Sequence, residues 1–184
     1  MLLKYRVIDN KKEEMLDIVD EHDHVVGQEN RETYRDQAFN PQGKYVRIVN
    51  CFIVNKEHKI WTPIRSPNKR SFPNAIDFSC GGYVQAGETY QEAIISEIEE
   101  ENNLTVKPED LVFLGKLTPT DDQVNVFMGV YKYVTNGPID FNPKDFTSAQ
   151  WLTKEELIAK IQGGFPCKNH LLSTLLKYQD VLWS

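Results

Sequence analysis

The order of the predicted elements indicates an α+β or α/β sandwich built around a mixed β-sheet. Three observations support this fold class. Strand-like segments precede one strongly helical segment, further strand-like segments follow that helix, and helical segments occupy the C-terminal part. The chain has 184 residues, which is enough for one domain with a hydrophobic core plus an appendage.

The N-terminal part is predicted to form a β-hairpin followed by a connector. Residues 16–31 contain two short apolar runs around a polar turn, a pattern typical of a hairpin. Residues 32–44 are polar and end near Pro41 and Gly43, which favours a connector. We therefore expect residues 1–40 to form the hairpin and connector, and residues 41–184 to form the main domain.

The middle of the chain alternates strand signals with turns. Residues 45–55 are rich in β-branched and aromatic side chains and predict a strand, and residues 60–65 predict its returning partner. Two prolines make residues 66–77 a predicted loop. A strand-like segment ending in Gly81 and Gly82 follows, and then a helix over residues 89–103.

The last third predicts two more strands and two more helices. The strand candidates are residues 110–119 and 124–134, followed by a loop over 138–146 and a short extended piece at 149–152. Thr153 and Glu156 have the spacing of a capping box, which predicts a helix near 154–162. A final helix is predicted over about residues 170–178.

Composition and charge exclude several classes of function. The formal net charge of −6 disfavours a general role on nucleic-acid polymers or on anionic membranes, because both need a basic face. The sequence has no run of about 18 apolar residues and no apolar signal-peptide core. Its three cysteines lack CxxC spacing, which argues against a disulfide framework and a structural zinc site, so we expect a cytoplasmic location.

The helix over residues 89–103 carries several glutamates with no Lys or Arg among them. Thr89 and Glu92 fit a capping box, which explains one of these acids structurally. Glu97, Glu100 and Glu101 follow the i, i+3, i+4 spacing and therefore share one face of the helix. This arrangement brings like charges together near the C-terminal end of the helix, where the macrodipole disfavours anions.

A divalent cation would remove both electrostatic penalties, because Mg²⁺ and Mn²⁺ prefer carboxylate oxygens. The alternative is a solvated acidic face, since surface helices also carry runs of acids. The flanking glycines favour a ligand site. Gly81 and Gly82 directly follow a strand-like segment, Gly87 precedes the helix, and such glycines allow a ligand to approach the main chain closely.

Taken together, residues 82–104 resemble the Nudix box, usually written Gx5Ex7REUxEExGU with U aliphatic. Two positions depart from it, because Ser96 stands where the family has Arg and Asn103 stands where it has Gly. Asn tolerates the left-handed conformation that ends a helix, so the second departure is mild. The positions that match are Gly82, Glu88, Glu97, Ile98, Glu100, Glu101 and Leu104.

The resemblance covers roughly residues 45–165 and looks like the branch related to isopentenyl-diphosphate isomerase. It implies an α/β/α sandwich with a mixed sheet, and metal-dependent attack of water on a small-molecule diphosphate. It further implies that Glu97, Glu100 and Glu101 bind Mg²⁺ or Mn²⁺, and that Glu88 supports the loop–helix turn and reaches a second metal. A homodimer built through the hairpin or the strand edges is also expected by fold analogy.

The same resemblance suggests roles for residues outside the helix. Arg65 and Lys69 match basic positions of this branch and would hold the diphosphate. The main chain at Gly81 and Gly82 would lie beside the substrate. Asp145 is in the loop before Trp151, where many family members carry an acid that assists catalysis. The general base stays open among Glu100, Glu101 and Asp145.

Two alternatives follow from the departures. Ser96 cannot supply the charge of the box Arg, so the protein could be a degenerate domain that binds a nucleotide or a partner without catalysis. Arg47 or Lys69 could compensate for the lost charge. An isoprenoid-diphosphate isomerase would need a Cys just before the box glycine and a His just after it, where this chain has Gly81 and Tyr83. Cys80 is one residue out of register and is expected to be a small buried residue on a strand.

Overall fold

The structure, a computed structural model, describes residues 14–36 and 43–183. The predicted N-terminal hairpin is confirmed. Strands β1 (Met15–Val19) and β2 (Val25–Asn30) pair antiparallel, with Met15 opposite Asn30. The end of the predicted connector, around Pro41, lies outside the described residues.

The beginning of the predicted connector is a helix, α1 (Arg31–Asp36), so the expectation of an irregular segment was wrong there. Two local interactions explain the helix. The side chain of Asn30 accepts a hydrogen bond from the backbone N–H of Glu32 at 2.9 Å, and Arg35 forms an ion pair with Glu32 at 3.2 Å, one turn apart. Such short-range polar contacts stabilise a single turn that has no apolar periodicity.

Six strands form the main sheet, in the order β6-β7-β3-β4-β8, and β5 also pairs with β3. Strands β3 and β7 run parallel, whereas the other pairs are antiparallel, so the sheet is mixed as predicted. The strands are β3 (Arg47–Val54), β4 (Lys59–Arg65), β5 (Cys80–Tyr83), β6 (Leu111–Leu117), β7 (Phe127–Val134) and β8 (Phe146–Thr153).

Helices cover both faces of this sheet, because the side chains of β3 alternate between two apolar cores. Val49 and Ile53 belong to the core that includes Ile94 of α2. Phe52 belongs to the opposite core, which includes Leu175 of α4. This confirms the sandwich. The helices are α2 (Tyr90–Asn102), α3 (Lys154–Gln162) and α4 (Leu171–Leu182), with a short 3-10 turn at Pro108–Asp110.

The ends of α2 follow the predicted capping chemistry. The hydroxyl of Thr89 accepts from the backbone N–H of Glu92, and the carboxylate of Glu92 accepts from the backbone N–H of Thr89. Asn103 ends the helix in the left-handed conformation, with φ of 52°. These caps set where α2 begins and ends relative to β5.

Two C-terminal boundaries differ from the expectation. Strand β8 begins at Phe146, inside the predicted loop, because residues 146–153 continue the pairing with β4. Helix α4 continues to Leu182, which is buried in the same core as Leu175. None of the helices in the described ranges has the length and hydropathy that crossing a membrane requires.

Candidate active site

A cleft of about 510 Å³ opens beside β5 and the C-terminal half of α2. It combines an acidic part from α2 with basic side chains from other elements, a composition suited to an anionic ligand bound together with a cation. Apolar side chains of β3 and β7 complete one side. Its lining includes Arg31, Ile48, Asn50, Arg65, Lys69, Gly81, Gly82, Glu97, Glu100, Glu101, Met128, Asn142, Asp145 and Lys168.

The two glycines of β5 leave the space through which the acids of α2 approach this cleft. A Cβ on Gly82 would lie 1.9 Å from Oε1 of Glu97. A Cβ on Gly81 would lie 2.4 Å from the backbone oxygen of Val49. The backbone N–H of Gly81 also donates to Oε2 of Glu101 at 3.0 Å. The double glycine therefore gives a close approach of main chain and carboxylates that larger residues would block.

Glu97 and Glu101 are carboxyl groups held in a poorly solvated place. Burial raises the pKa of Glu97 to about 7, and the charge of Glu100 adds to the increase. Burial also raises the pKa of Glu101 well above its ordinary value, with further contributions from Glu97 and Asp145. Two neighbouring acids that resist ionisation together indicate a site that is short of positive charge.

Glu100 and Asp145 lie on the more open side of the acidic part. The pKa of Glu100 is raised by burial and by several acids, among them Glu14 and Asp145. The Nζ of Lys69 donates to Oδ1 of Asp145. Lys69 and Asp145 come from loops far apart in the sequence, so the fold brings the predicted basic and acidic loop residues into direct contact.

A buried group of charges forms another part of the cleft wall. The guanidinium of Arg65 pairs with Asp77, and its Nε donates to the backbone oxygen of Ser71 at 3.0 Å. Lys168 pairs with the same Asp77 at 3.2 Å. Asp77 therefore pairs with two basic side chains. Together, Arg65, Lys168 and Asp77 carry one net positive charge beside the acids of α2.

Eight of the nine predicted site residues line this one cleft. The exception is Glu88, which accepts a hydrogen bond from the backbone N–H of Gln85 at 3.0 Å in the turn before α2. Its negative charge still contributes to the raised pKa of Glu100. The eight residues in the lining are Arg65, Lys69, Gly81, Gly82, Glu97, Glu100, Glu101 and Asp145.

The cleft also contains polar residues that the sequence did not predict as site residues, among them Arg31, Asn50 and Lys168. Arg31 falls at the end of the predicted hairpin, and no motif connects it to the helix of acids. Asn50 is fully buried in the centre of β3, where its strand pattern predicts an apolar side chain. Arg47, one of the two candidates to replace the box Arg, instead pairs with Asp23 at 2.6 Å.

The donor groups of the cleft fit a hard divalent cation. Its acidic part offers carboxylate oxygens from Glu97, Glu100 and Glu101, and such oxygens are the ligands that Mg²⁺ and Mn²⁺ prefer. In residues 14–36 and 43–183, no group of three or more Asp, Glu, His or Cys side chains is arranged closely enough to hold a metal ion without some movement. Burial first, and then the charges of neighbouring acids, raise the pKa values of Glu97 and Glu101, and a bound cation would oppose both effects.

Cys80 takes no part in the cleft. It is fully buried in the core under α2, directly opposite Cys51 of β3. Burial, with a smaller contribution from Cys51, raises the pKa of the Cys80 thiol. It is therefore the buried strand residue that the sequence predicts, and its thiol is unsuited to proton transfer in the cleft.

Comparison with known proteins agrees with this geometry. A family model described as a NUDIX domain matches residues 44–173. An uncharacterised Nudix hydrolase of Nostoc is 44% identical over 160 residues, which cover 86% of this chain and 92% of that relative. A Nudix hydrolase of Deinococcus radiodurans is 41% identical over 159 residues, covering 86% and 90%. The crystal structure of a Deinococcus radiodurans protein superposes with a TM-score of 0.81 at 39% identity, covering 90% of this chain and 99% of that one.

Proposed function

The chain belongs to the Nudix hydrolase family, and from this premise we propose that it hydrolyses a small organic diphosphate. Members of the family are generally pyrophosphohydrolases that need divalent cations. The substrate class that we propose is a nucleoside diphosphate linked to another group, or a related organic diphosphate. We propose Mg²⁺ or Mn²⁺ as the cation.

One observation carries this proposal. Glu97 and Glu101 are close, poorly solvated carboxyl groups beside the glycines of β5, on the wall of a cleft large enough for a small molecule. Burying two acids together is unfavourable unless a cation binds them. A diphosphate bound to the same cation would have its negative charge offset there, although the side chains of α2 beside it are acidic.

Each site residue then has a proposed role. Glu97, Glu100 and Glu101 would hold the cation, which when bound neutralises the diphosphate and lowers the pKa of bound water. Lys69 would contact the diphosphate directly. Arg65 would contribute positive charge while it remains paired with Asp77.

The remaining roles concern the main chain and the proton. Gly81 and Gly82 allow the diphosphate to approach the backbone of β5. The proton of the attacking water would pass to Asp145, Glu100 or Glu101. Glu88 would support the turn before α2 and would contact a second cation where the substrate brings one. A homodimer and a cytoplasmic location remain predictions.

The isomerase alternative lacks support in the cleft, because the thiol of Cys80 is buried in the core under α2 and does not line the cleft. Binding without catalysis is the alternative that an activity assay decides. The assay would follow release of phosphate or nucleotide from a panel of diphosphates, first with Mg²⁺ and then with Mn²⁺. The panel would contain nucleotide sugars, dinucleotides, nucleoside triphosphates, coenzyme A and isoprenoid diphosphates.

The matched variant is Glu101→Gln, which keeps the size of the side chain but removes its charge. The proposal predicts metal-dependent turnover of at least one substrate class by the wild type, and a loss of about 100-fold or more in the variant. Equal turnover by both proteins would contradict the role of Glu101. Nucleotide binding without any turnover would instead favour the degenerate domain.

A further inference from the structure

We propose that Arg31, from the N-terminal segment, binds a phosphate group of the substrate beside the carboxylates of α2. This inference rests on the proposed function and deepens it. Helix α1 precedes residues 44–173, the part that the family model matches. Nevertheless Arg31, Tyr34 and Arg35 of this helix all line the cleft. The N-terminal segment is therefore a wall of the site and contributes positive charge to it.

The guanidinium of Arg31 is only partly paired within the described residues. Its Nη1 pairs with the carboxylate of Glu14, and its guanidinium lies 5.0 Å from the centre of the Tyr83 ring. Its Nε is buried and has no hydrogen-bond partner in the described part of the chain. A guanidinium presents its N–H donors in one plane, a geometry that matches the oxygens of a phosphate group, which accept two parallel N–H bonds.

Arg31 also lies next to the acidic part of the cleft. Tyr83, which it contacts, directly follows Gly82, and Gly82 is the residue against which the carboxylate of Glu97 packs. A phosphate held by Arg31 would thus lie within reach of a cation on Glu97. Ser96 is exposed on α2 and carries no charge, so Arg31 provides positive charge near Glu97 from another element.

The exposure of its ion pair distinguishes Arg31 from Arg65, the other cleft arginine for which we propose a role beside the substrate. Arg65 pairs with Asp77 in an almost fully buried contact, with side chains 10% and 4% exposed. In the pair of Arg31 and Glu14, the side chains are 31% and 45% exposed. Exposed ion pairs contribute little to stability, so Arg31 can exchange Glu14 for a phosphate oxygen at small cost.

The test measures binding of methylenediphosphonate, a diphosphate analogue whose P–C–P linkage resists hydrolysis, to the full chain in the presence of Mn²⁺. Titration with Mn²⁺ alone comes first and reports the cation site separately. The variants are Arg31→Met, Arg31→Lys and Glu14→Gln. The matched control is Arg70→Met, because Arg70 pairs with Glu32 of the same helix at 3.1 Å but does not line the cleft.

The inference predicts that Arg31→Met weakens diphosphonate binding about tenfold or more. It predicts that Mn²⁺ affinity changes less than about threefold and that Arg70→Met leaves both affinities unchanged. Arg31→Lys should retain part of the affinity, because lysine keeps the positive charge but lacks the planar set of N–H donors that a guanidinium offers. Glu14→Gln should leave diphosphonate binding unchanged or tighter. If the Arg31–Glu14 pair had only a structural role, Glu14→Gln would instead weaken binding as Arg31→Met does.

Three results would overturn the inference. The first is wild-type affinity for diphosphonate in Arg31→Met. The second is an equal loss of Mn²⁺ and diphosphonate binding, which would make Arg31 a positioning residue for the acids. The third is weakened binding in Glu14→Gln, which also decides the matter if Arg31→Met fails to fold. Failure of the proposed function is distinct from these results, because it is read from the wild type alone, as the absence of metal-dependent turnover of every substrate in the panel.

Discussion

Replacing Gly82 with alanine would place a methyl group where the carboxylate of Glu97 now lies. The new Cβ would be 1.9 Å from Oε1 of Glu97 and 2.4 Å from its Cδ. Ordinary contact begins at about 3.4 Å, so the carboxylate must move by about 1.5 Å. Because the side chain of Glu97 is flexible, it can rotate away from the new methyl group. The substitution should therefore displace the carboxylate and leave the backbone in place.

A displacement of this size is large for a group that we propose as a metal ligand. Misplacing such a group by about 1 Å can reduce the rate about 100-fold, so we expect Gly82→Ala to lower kcat/KM by roughly that factor. Its Mn²⁺ affinity should fall as well. The assay compares steady-state kinetics on the best substrate of the panel with Mn²⁺ titrations of the same preparations.

Two further glycines serve as controls. A Cβ on Gly27 would meet nothing within 4 Å, so Gly27→Ala should have wild-type kinetics. A Cβ on Gly81 would lie 2.4 Å from the backbone oxygen of Val49, so Gly81→Ala should lower the melting temperature as well as the activity. Adding Glu97→Gln to Gly82→Ala should cause little further loss, because both changes act on the same carboxylate. Wild-type kinetics of Gly82→Ala would refute the reasoning.

Three further predictions concern stability. Burial raises the pKa of Glu97 from 4.5 to about 7, so the folded protein keeps a proton that the unfolded chain releases. In the metal-free protein, Glu97 by itself should therefore lower the stability by about 3 kcal/mol as pH rises through this interval. Melting in a chelator at pH 5 and pH 8 checks this, and a higher melting temperature at pH 8 would contradict it. Arg65→Met should lower the free energy of unfolding in urea by about 3 kcal/mol, because among the described residues it leaves the buried Asp77 with Lys168 as its remaining ion-pair partner. An unchanged urea midpoint would disprove the pairing. Asn50→Leu should leave stability equal or higher, because both amide atoms of Asn50 are buried without a partner in the described residues; a loss above about 1 kcal/mol would show that the amide is bonded.

The parts of the molecule that sequence predicts well are those set by local chemistry. The spacing of Glu97, Glu100 and Glu101 places them on one helix face, whatever that helix packs against. Thr89 and Asn103 fix the ends of the helix through caps that involve only neighbouring residues. The acidic face of α2 and both of its ends therefore follow from the sequence of this one segment.

The remaining parts depend on contacts between distant segments. Arg31 reaches the acids because the hairpin docks beside β5, where Leu16 bridges to Gln85. Lys168 joins Asp77 through a loop that precedes α4. Neither contact leaves a periodic or spacing signal in the sequence, since each pairs residues from segments that only the fold brings together. The same is true of the close approach of the Glu97 carboxylate to Gly82, because it depends on how α2 packs against β5.

The measurement that tests the central claim most directly is the anomalous difference density of Mn²⁺ in crystals of the full chain grown at neutral pH. The account predicts one strong peak in the cleft, about 2.2 Å from carboxylate oxygens of Glu97, Glu100 and Glu101. It also predicts that this peak disappears in Glu101→Gln crystals treated in the same way. A cleft without any peak at saturating Mn²⁺, in crystals of the wild type, would contradict the assignment of the α2 carboxylates as a metal site.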